Sequence, residues 1–509
     1  MEFVDTAWAL LPPLIAIILA LATKEVYVSL FVGIVTGALL VAGFSPTGTL
    51  DTIINEGLIP SVSDNAGIFI FLVILGIMVA LVNAAGGASA FGQWAARHVK
   101  GRVGTQIASF ILGVLIFIDD YFNCLTVGSV MRPLTDSKNV SRAKLAFIID
   151  ATAAPICMIA PVSSWAAAVS GVAADLNVNG IDLFISAIPF NFYSLLMIVF
   201  VIGLVFLNFD YGPMAKAEIA AYRDGDLGSL GGDTSVTREK ASLWDMLLPV
   251  ILLIVFCVVG MLYVGGFFGG ENAGDVIASF GNTDAFTALP WGSIVALVIT
   301  FIYLLARRVI SFNEATACFT SGFNAMVPAI LVLTFAVALK NMTSLLGAAN
   351  YVAGLMENVA PGLYAMLPAI IFLVALFLAF STGTSWGTFG ILIPIVLPIF
   401  ANDPTLLTIG ISACLAGAVA GDHCSPISDT TVMASAGANM NHIEHVNTQL
   451  PYVITVALVS FVMFIIAGFV QNAAICLPIG IVLIIVTLLV LKATIGKSVT
   501  DCEPAATQE

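Results

Sequence analysis

Charged side chains are scarce in this sequence. Asp, Glu, Lys and Arg make up 9% of its 509 residues, whereas hydrophobic residues make up 60%. Soluble domains are charged at about a quarter of their positions. So few charges cannot cover a water-exposed surface, which excludes a soluble globular protein and predicts a bilayer as the surrounding medium. The apolar runs are continuous rather than alternating, which excludes a transmembrane β-barrel and predicts an all-α polytopic membrane protein.

Motifs of metal, nucleotide and disulfide sites are also missing. None of the eight cysteines forms a CxxC pair, so neither a disulfide framework nor a metal site is predicted. No glycine-rich phosphate-binding motif occurs, so we expect no organic cofactor, no nucleic-acid partner and no use of ATP. The first residues lack the basic stretch of a signal peptide, which predicts that the first apolar run is a retained span.

Thirteen apolar segments follow one another along the chain, each long enough to be a membrane helix or a pair of shorter ones. Four of them contain polar breaks, at 103–131, 143–174, 362–400 and 406–436. The predicted segments are 7–22, 26–43, 66–85, 103–131, 143–174, 183–207, 244–268, 290–306, 325–340, 362–400, 406–436, 449–469 and 473–491.

Lys and Arg in short loops mark the cytoplasmic side of a membrane protein. Segment 103–131 has basic residues before and after it, so both of its ends are predicted to be cytoplasmic. We therefore predict a re-entrant hairpin that enters from inside, hairpin 1. Segment 362–400 has no basic residue at either end and is predicted to be hairpin 2, entering from outside.

With two hairpins, the other eleven segments each cross once, which places the N-terminus outside and the C-terminus inside. Sixteen of the seventeen basic residues then lie on the cytoplasmic side, and the exception is Lys340. The sixteen are Lys24, Arg97, Lys100, Arg102, Arg132, Lys138, Arg142, Lys144, Lys216, Arg223, Arg238, Lys240, Arg307, Arg308, Lys492 and Lys497.

The order of segments occurs twice with opposite orientation. Residues 1–207 and 244–469 each contain three spans, a hairpin, a broken span and a further span. The acid-rich loop 208–243 is predicted to be a cytoplasmic linker, flexible over the glycine-rich stretch DGDLGSLGGDTSV, and 470–509 adds a final span and a tail. Inverted repeats with discontinuous helices are typical of secondary transporters, whose exposed helix ends bind ions and polar solutes.

Hairpin 1 carries two adjacent carboxylates, Asp119 and Asp120, at membrane depth. Buried acids are costly there unless they are paired, protonated or bound to a metal ion, which predicts an ion- or proton-binding site. The alternative is a helix N-cap, since Asp caps helices well. Asn123 and Thr126 follow on the same stretch and are included in the predicted site.

Broken span 1, at 143–174, contains two prolines six residues apart that interrupt helical hydrogen bonding. Oxygen atoms beside the freed carbonyls predict a site for a hard cation such as Na⁺. The alternative is a simple kink in which Ser and Thr bond back to the helix. The predicted ion-binding residues are Asp150 and Thr152, and the predicted substrate-binding residues are Ser163, Ser164 and Trp165.

The second half repeats the plan with different chemistry. Hairpin 2 has hydroxyls and glycines but no charge, whereas broken span 2, at 406–436, has the densest polar run of any apolar segment. An Asp-His-Ser hydrolytic triad is not expected there, because sequential neighbours do not give triad geometry. The predicted ion-binding residues are Asp422, Ser425, Ser428, Asp429 and Thr430, and the predicted substrate-binding residues are Ser381, Thr382, Thr384, Ser385, Trp386, Thr388 and His423.

Lys340 and the cluster of His442, Glu444 and His445 lie outside the hairpins and broken spans, and both have open interpretations. Lys340 either extends to the outer membrane surface or acts as a substitute cation or a partner for a substrate carboxylate. His442, Glu444 and His445 have the spacing of a metal site, but they lie in a predicted cytoplasmic loop and no metal centre is assigned to them.

Four stretches resemble the NhaC-type sodium/proton antiporter family of the ion transporter superfamily, and the resemblance covers nearly the whole chain. It implies an inverted-repeat, elevator-like fold in the cell membrane, Na⁺ and H⁺ as carried ions, lipid contacts and a homodimer. The stretches are FIDDYFNCLTVGSVMRPLTD (117–136), AFIIDATAAPICMIAPVSSWAA (146–167), STGTSWGTFGILIPI (381–395) and AGDHCSPISDTTVMAS (420–435).

Three functions are compatible with this sequence, none of them enzymatic. Na⁺/H⁺ antiport is the first, and the alternative is Na⁺-coupled transport or exchange of a small organic solute. The family contains amino-acid and carboxylate transporters, and the uncharged hairpin 2 leaves room for an organic zwitterion. A passive channel is the third, but the two dissimilar polar clusters favour a saturable site.

Overall fold

A computed structural model gives the fold of the chain. It describes residues 3–23, 25–117, 119–173, 180–228, 238, 240–269, 272–281, 283–348, 350–351, 361–426 and 428–499. For some of these residues, Ser381 and Asp429 among them, the backbone is described and the side chain is not.

The described residues form helices, and their β contact is an isolated antiparallel bridge between Asp210 and Lys497. The helices of the first half are α1 (Leu11–Thr23), α2 (Val26–Val41), α3 (Pro46–Asp51), α4 (Ile59–Ser63), α5 (Ala66–Ala84), α6 (Gly87–His98), α7 (Gly101–Leu115), α8 (Asp120–Asp136), α9 (Arg142–Thr152), α10 (Ala154–Cys157), α11 (Ser164–Ala173), α12 (Gly180–Ala187) and α13 (Phe192–Leu207). The later helices are α14 (Gly212–Asp224), α15 (Trp244–Val264), α16 (Val276–Gly281), α17 (Ala285–Ala306), α18 (Phe312–Leu345), α19 (Pro361–Thr382), α20 (Ser385–Ile399), α21 (Pro404–Cys424), α22 (Asp429–Ala438), α23 (His442–Val470) and α24 (Ala473–Thr494).

Seven helices in the described part of the chain are long and apolar enough to cross a membrane, or eight if a bent pair counts as one span. The bent pair is α12 with α13, which meet at 46°, whereas the sequence predicted one continuous span at 183–207. Pro189 lies in the 3₁₀ turn between them, where it cannot donate a backbone hydrogen bond. The predicted total of eleven spans stays a prediction.

Each predicted hairpin is a pair of helices. The start of the first helix lies beside the end of the second. In hairpin 1, Arg102 at the start of α7 donates hydrogen bonds to the carbonyl oxygens of Lys138, at 3.4 Å, and Asn139, just beyond α8. In hairpin 2, the Tyr364 hydroxyl near the start of α19 donates to the Ile399 carbonyl at the end of α20, at 3.1 Å. The start and the end of each segment are therefore neighbours, and the side from which either segment enters the membrane stays a prediction.

The two broken spans are interrupted where the polar motifs predicted. In broken span 1, α9 ends at Thr152, α10 is a single turn, and α11 begins at Ser164. In broken span 2, α21 ends at Cys424 and α22 begins at Asp429, with Ser428 accepting a hydrogen bond from the Thr431 N–H as N-cap. Both breaks place helix ends inside the helical bundle, where Thr152, Ser164 and Cys424 are buried.

Two groups of helices pack mainly among themselves. The straight-helix group consists of α1, α2, α5, α15, α17 and α18, and the hairpin group consists of α7–α13 and α19–α24. In the straight-helix group, α5 and α18 cross at Gly76 and Gly322, where a Cβ added to Gly76 would lie 2.2 Å from the Gly322 carbonyl oxygen. In the hairpin group, a Cβ on Gly128 of α8 would lie 2.3 Å from the carbonyl carbon of Gly437 of α22. The two halves of the chain are therefore in direct backbone contact inside the hairpin group.

Segment 208–243 is not the simple loop that its composition predicted, because it contains α14. Glu218 of this helix is buried, pairs with Arg102 and accepts a hydrogen bond from the Ser141 N–H at 2.8 Å. Burial raises the pKa of Glu218, and the Arg102 guanidinium opposes that shift. Most of the stretch predicted to be flexible, 224–236, lies outside the described residues. The described part of the linker is docked against the base of hairpin 1 and the start of α9.

Candidate functional site

The two adjacent carboxylates of hairpin 1 have different surroundings. Asp120 is the first residue of α8 and is fully buried. Its Oδ2 accepts a hydrogen bond from the Trp165 indole N–H at 3.1 Å, and its Oδ1 accepts one from the Tyr121 N–H at 3.2 Å. Asp119 precedes the helix and lines a cavity. Both acids are buried, Asp119 at 1% exposure and Asp120 at 0%, and Asp119 is the one that lines the cavity.

An aromatic cluster from two helices, α11 and α20, covers Asp120. The ring centroids of Trp165 and Trp386 are 5.8 Å apart, and both indoles contact Phe389, at 5.2 and 5.5 Å. The Trp386 indole also faces the Asp120 carboxyl, without a hydrogen bond within 3.5 Å. Trp165 belongs to broken span 1 and Trp386 to hairpin 2, so segments from both halves enclose the acid of hairpin 1.

The open space beside Asp119 is a cavity of about 760 Å³. One wall comes from the hairpin group, through Asp119, Tyr121 and Met433. The opposite wall comes from α2, α5 and α18, which contribute polar residues such as Asn83 and Asn324. The cavity thus lies between the two helix groups, and hairpin 1 contributes Asp119 and Tyr121 to its lining.

Asn123 joins hairpin 1 to the break in span 1. Its side-chain amide donates to the carbonyl oxygens of Gly113, Ile116 and Thr152, at 2.7, 3.0 and 2.9 Å. These carbonyls lie at or near helix ends, where helical partners run out, and they share the two N–H groups of one amide. The Gly113 carbonyl also accepts a hydrogen bond from the Ile116 N–H, at 3.2 Å. Asn123 therefore fixes the hairpin tip against the helix break. Thr126, one turn further along α8, is also buried.

Asp150 forms a second buried cluster in which both halves of the chain meet. Its Oδ2 accepts hydrogen bonds from the Thr431 hydroxyl at 3.0 Å and from the Gln449 amide at 2.8 Å. The Nε2 atoms of His423 and His445 each lie 3.6 Å from an Asp150 carboxylate oxygen. These histidine distances are longer than hydrogen bonds.

Asp422 forms a third group within broken span 2. Its Oδ2 accepts a hydrogen bond from the Thr430 hydroxyl at 2.6 Å, and Thr430 and Ser428 share another at 3.1 Å. Ser425 is buried in the same break. Asp429 begins α22, but its side chain lies outside the described part of the structure.

Several hydroxyls of the predicted ion-binding and substrate-binding residues are bonded to the backbone. Thr152 donates to the Ile148 carbonyl and Ser163 donates to the Cys157 carbonyl, both at 2.8 Å, as a simple proline kink predicts. Within hairpin 2, Thr382 and Thr388 donate to carbonyls one turn earlier, and Thr384 caps α20. Ser381 lies in α19, and its side chain is not described. Ser164 and Ser385 are buried and, among the described residues, their hydroxyls have no hydrogen-bond partner.

The three acidic groups lie close together although they are distinct. Cys124 of hairpin 1 is within electrostatic reach of Asp119, Asp120, Asp150 and Asp422. Its thiol also contacts the Thr430 carbonyl oxygen, at 3.6 Å. The hairpin and broken-span motifs, which are far apart in sequence, therefore converge on one polar centre.

This arrangement agrees with a comparison to protein families. Residues 156–469, more than half of the chain, match the profile of the Na⁺/H⁺ antiporter family. The chain belongs to the Na⁺/H⁺ antiporter family. It is thus a multi-pass membrane transporter rather than an enzyme.

The chain is also similar to several individual proteins. A protein of Haemophilus influenzae without an assigned function is 36% identical over 92% of each chain. The malate-2H⁺/Na⁺-lactate antiporter of Bacillus subtilis is 29% identical over 31% of this chain and 34% of its own length. Among solved structures, Neisseria gonorrhoeae MtrF, described as one of a class of antimetabolite efflux pumps, is similar in fold, with a TM-score of 0.53. It is 12% identical, and the match covers 84% of this chain and 86% of MtrF.

Three residues of this polar centre, His445, Gln449 and Tyr193, were not predicted from the sequence. His445 and Gln449 lie one helical turn apart on α23 and both face Asp150. Tyr193 of α13 contacts Nδ1 of His423 through its hydroxyl, at 3.0 Å. The i, i+4 spacing of His445 and Gln449 is the signal that could have identified them.

The structure also shows the surroundings of Lys340 and of the cluster of His442, Glu444 and His445. The His442 ring contacts the Pro426 carbonyl and the Ser435 hydroxyl, whereas His445 faces Asp150. No group of three His, Cys, Asp or Glu able to hold a metal ion occurs among the described residues. Lys340 is 7% exposed within α18.

Proposed function

We propose that this chain is a sodium-coupled secondary active transporter of the cell membrane that exchanges Na⁺ for H⁺. The proposal rests on one observation: Asp119 lines the cavity, whereas the adjacent Asp120 is buried behind Trp165. Two neighbouring carboxylates repel each other when both are charged. A proton or a cation bound at Asp119 relieves that repulsion, so the two ions compete for one place.

The proposed binding region comprises hairpin 1 with Asp119 and Asp120, supported by Asn123. Asp150 and Asp422 lie near enough to respond to its charge. The remaining ion-binding candidates, Thr126, Thr152, Ser425, Ser428, Asp429 and Thr430, and the substrate-binding candidates Ser163, Ser164, Trp165, Ser381, Thr382, Thr384, Ser385, Trp386, Thr388 and His423 belong to the proposed region by sequence position.

We propose an elevator-like mechanism in which the hairpin group moves against the straight-helix group. The cavity between the groups supports this, since a solute bound at Asp119 would travel with hairpin 1. Tyr27, Asn83 and Ser321 line it at helix ends that the positive-charge count assigns to the cytoplasm, so we assign this conformation to the inward-facing state. Residues 1–207 and 244–469 are the proposed inverted repeats, and the proposed homodimer forms through the straight-helix group.

A second function is favoured by the size of the cavity. A water molecule occupies about 30 Å³ in the liquid, so 760 Å³ is much more than one partly hydrated ion needs. Cavities that bind small organic molecules span about 300–1,000 Å³. The alternative proposal is therefore Na⁺-coupled transport or exchange of a small organic solute, such as an amino acid or a carboxylate.

Reconstitution of the full chain in liposomes tests the antiport proposal. A pH-sensitive dye inside the vesicles should report proton movement when a Na⁺ gradient is imposed without any organic solute. Asp119→Asn should abolish that movement, whereas Asp51→Asn, at an exposed carboxylate outside the cavity, should not. Proton movement that ignores Na⁺, or that survives Asp119→Asn, would refute the proposal. Flux that never saturates would indicate a channel.

A further inference from the structure

The described residues that line the cavity carry negative charge and no positive charge. Asp119 lines the cavity, and none of its described lining residues is Lys, Arg or His. A carboxylate solute in this space would lose its hydration without meeting a positive partner, which is costly. A solute with one positive charge would instead pair with Asp119. The lining therefore favours a solute with a positive charge over a solute with a negative charge.

Neutral polar groups on the remaining lining suit an ammonium group. Asn83 of α5 and Asn324 of α18 supply amide oxygens, and Ser321 supplies a hydroxyl oxygen. An ammonium group carries three N–H donors, so it can be shared between a carboxylate and these acceptors. Tyr27 and Tyr121 also line the cavity, and aromatic faces attract cations.

The rest of the lining suits an apolar body. Met326 of α18 and Met433 of α22 come from opposite walls, and Val79 and Ala80 lie between them on α5. Methionine side chains adapt to ligands of different shape. The volume exceeds that of an inorganic ion and lies within the range of small organic ligands.

We propose that the cavity binds a small organic amine, with its ammonium group at Asp119 and its apolar part against the methionines. This inference rests on the proposed function in one respect, that Asp119 faces the transported species. It narrows the possible solutes to amines and excludes simple carboxylates. Na⁺, H⁺ and the amine then compete for the same carboxylate.

A thermal-shift experiment on the purified full chain tests the inference with matched probes. n-Butylamine and tyramine are compared with n-butanol, butyrate and 4-hydroxyphenylacetate, which keep the carbon skeleton and change only the polar group. A ligand that binds only the folded state stabilises it, so the amines should raise the melting temperature by about 2–5 °C at saturating concentration. The alcohol and the carboxylates should not. Equal or larger shifts with the carboxylates, or no shift with either amine, would overturn the inference.

Two variants at one position connect the effect to Asp119. Asp119→Asn should abolish the amine-dependent shift, and Asp119→Glu, which keeps the charge, should retain it. Asp51→Asn is the control. An amine-dependent shift that persists in folded Asp119→Asn overturns the inference, and if that variant fails to fold, the wild-type ligand series alone decides. Absence of amine binding with Na⁺-driven proton movement intact refutes this inference alone, and the reverse result refutes the antiport proposal alone.

Discussion

The Trp165 indole N–H donates a hydrogen bond to Oδ2 of Asp120, across 3.1 Å. The two residues are 45 positions apart, one in broken span 1 and the other at the tip of hairpin 1. Both are fully buried, so water cannot replace this donor. The contact connects the break in span 1 to the tip of hairpin 1.

Replacing Trp165 with Phe should destabilise the protein. The variant keeps an aromatic ring beside Trp386 and Phe389 but removes the N–H donor. Removing one partner of a buried hydrogen bond costs about 1–3 kcal/mol, and we expect a loss of that order in the free energy of unfolding. Denaturation in mixed detergent micelles measures it.

Trp386→Phe is the matched control for that change. Trp386 contacts the same rings, but its N–H makes no hydrogen bond within 3.5 Å among the described residues. Its loss should therefore cost clearly less than the loss of the Trp165 N–H. Equal costs for both variants would mean that ring packing, rather than the hydrogen bond, stabilises this region.

Neutralising the two acids of hairpin 1 should have different effects. Asp119→Asn changes a residue that lines the cavity, so Na⁺-driven proton flux should fall by about tenfold or more, equivalent to at least about 1.4 kcal/mol of barrier. Asp120→Asn changes a buried acceptor of two hydrogen bonds, so the melting temperature should fall as well. Unchanged proton flux in Asp119→Asn, or an unchanged melting temperature in Asp120→Asn, would contradict these assignments.

Positive charge was the most informative sequence feature for the fold. Basic residues on both sides of segment 103–131 predicted a hairpin, and Arg102 meets Lys138 and Asn139 at its base. Proline and hydroxyl motifs likewise predicted where α9 and α21 end. These features are local, so the sequence contains them directly.

The missed contacts of the site depend on tertiary packing. Asp150 and Gln449 are 299 positions apart, and nothing in either local sequence indicates that they bond. The predicted role of Ser163 depended on whether a carbonyl lay within reach, and at the actual break Cys157 and Ala160 both provide one. Helix α14 was missed because a composition rich in acids and glycine suggested a loop, whereas Glu218 has a buried partner in Arg102.

Gly128→Ala should destabilise the hairpin group. The added methyl carbon would lie 2.3 Å from the carbonyl carbon of Gly437, and backbone atoms cannot move aside without separating α8 from α22. Overpacking of this kind costs about 1–3 kcal/mol. Gly104→Ala is the control, since its nearest neighbour is the Val99 side chain at 3.3 Å. A comparison of melting temperatures checks this, and equal stability of the two variants would show that α8 and α22 are separated in solution.

Helix α14 should detach when Glu218 is replaced with Ala. The change removes the partner of Arg102 and the acceptor of the Ser141 N–H, and breaking a buried ion pair costs about 3–5 kcal/mol. Lys216 is exposed on this helix, and trypsin cuts there only when the helix unfolds locally. Limited proteolysis in detergent with mass spectrometry should therefore show faster cleavage after Lys216. Asp224→Ala, which removes only an exposed pair with Arg223, should leave that rate unchanged. An unchanged rate in Glu218→Ala would mean that other contacts hold the linker in place, the Lys144–Asp210 pair foremost.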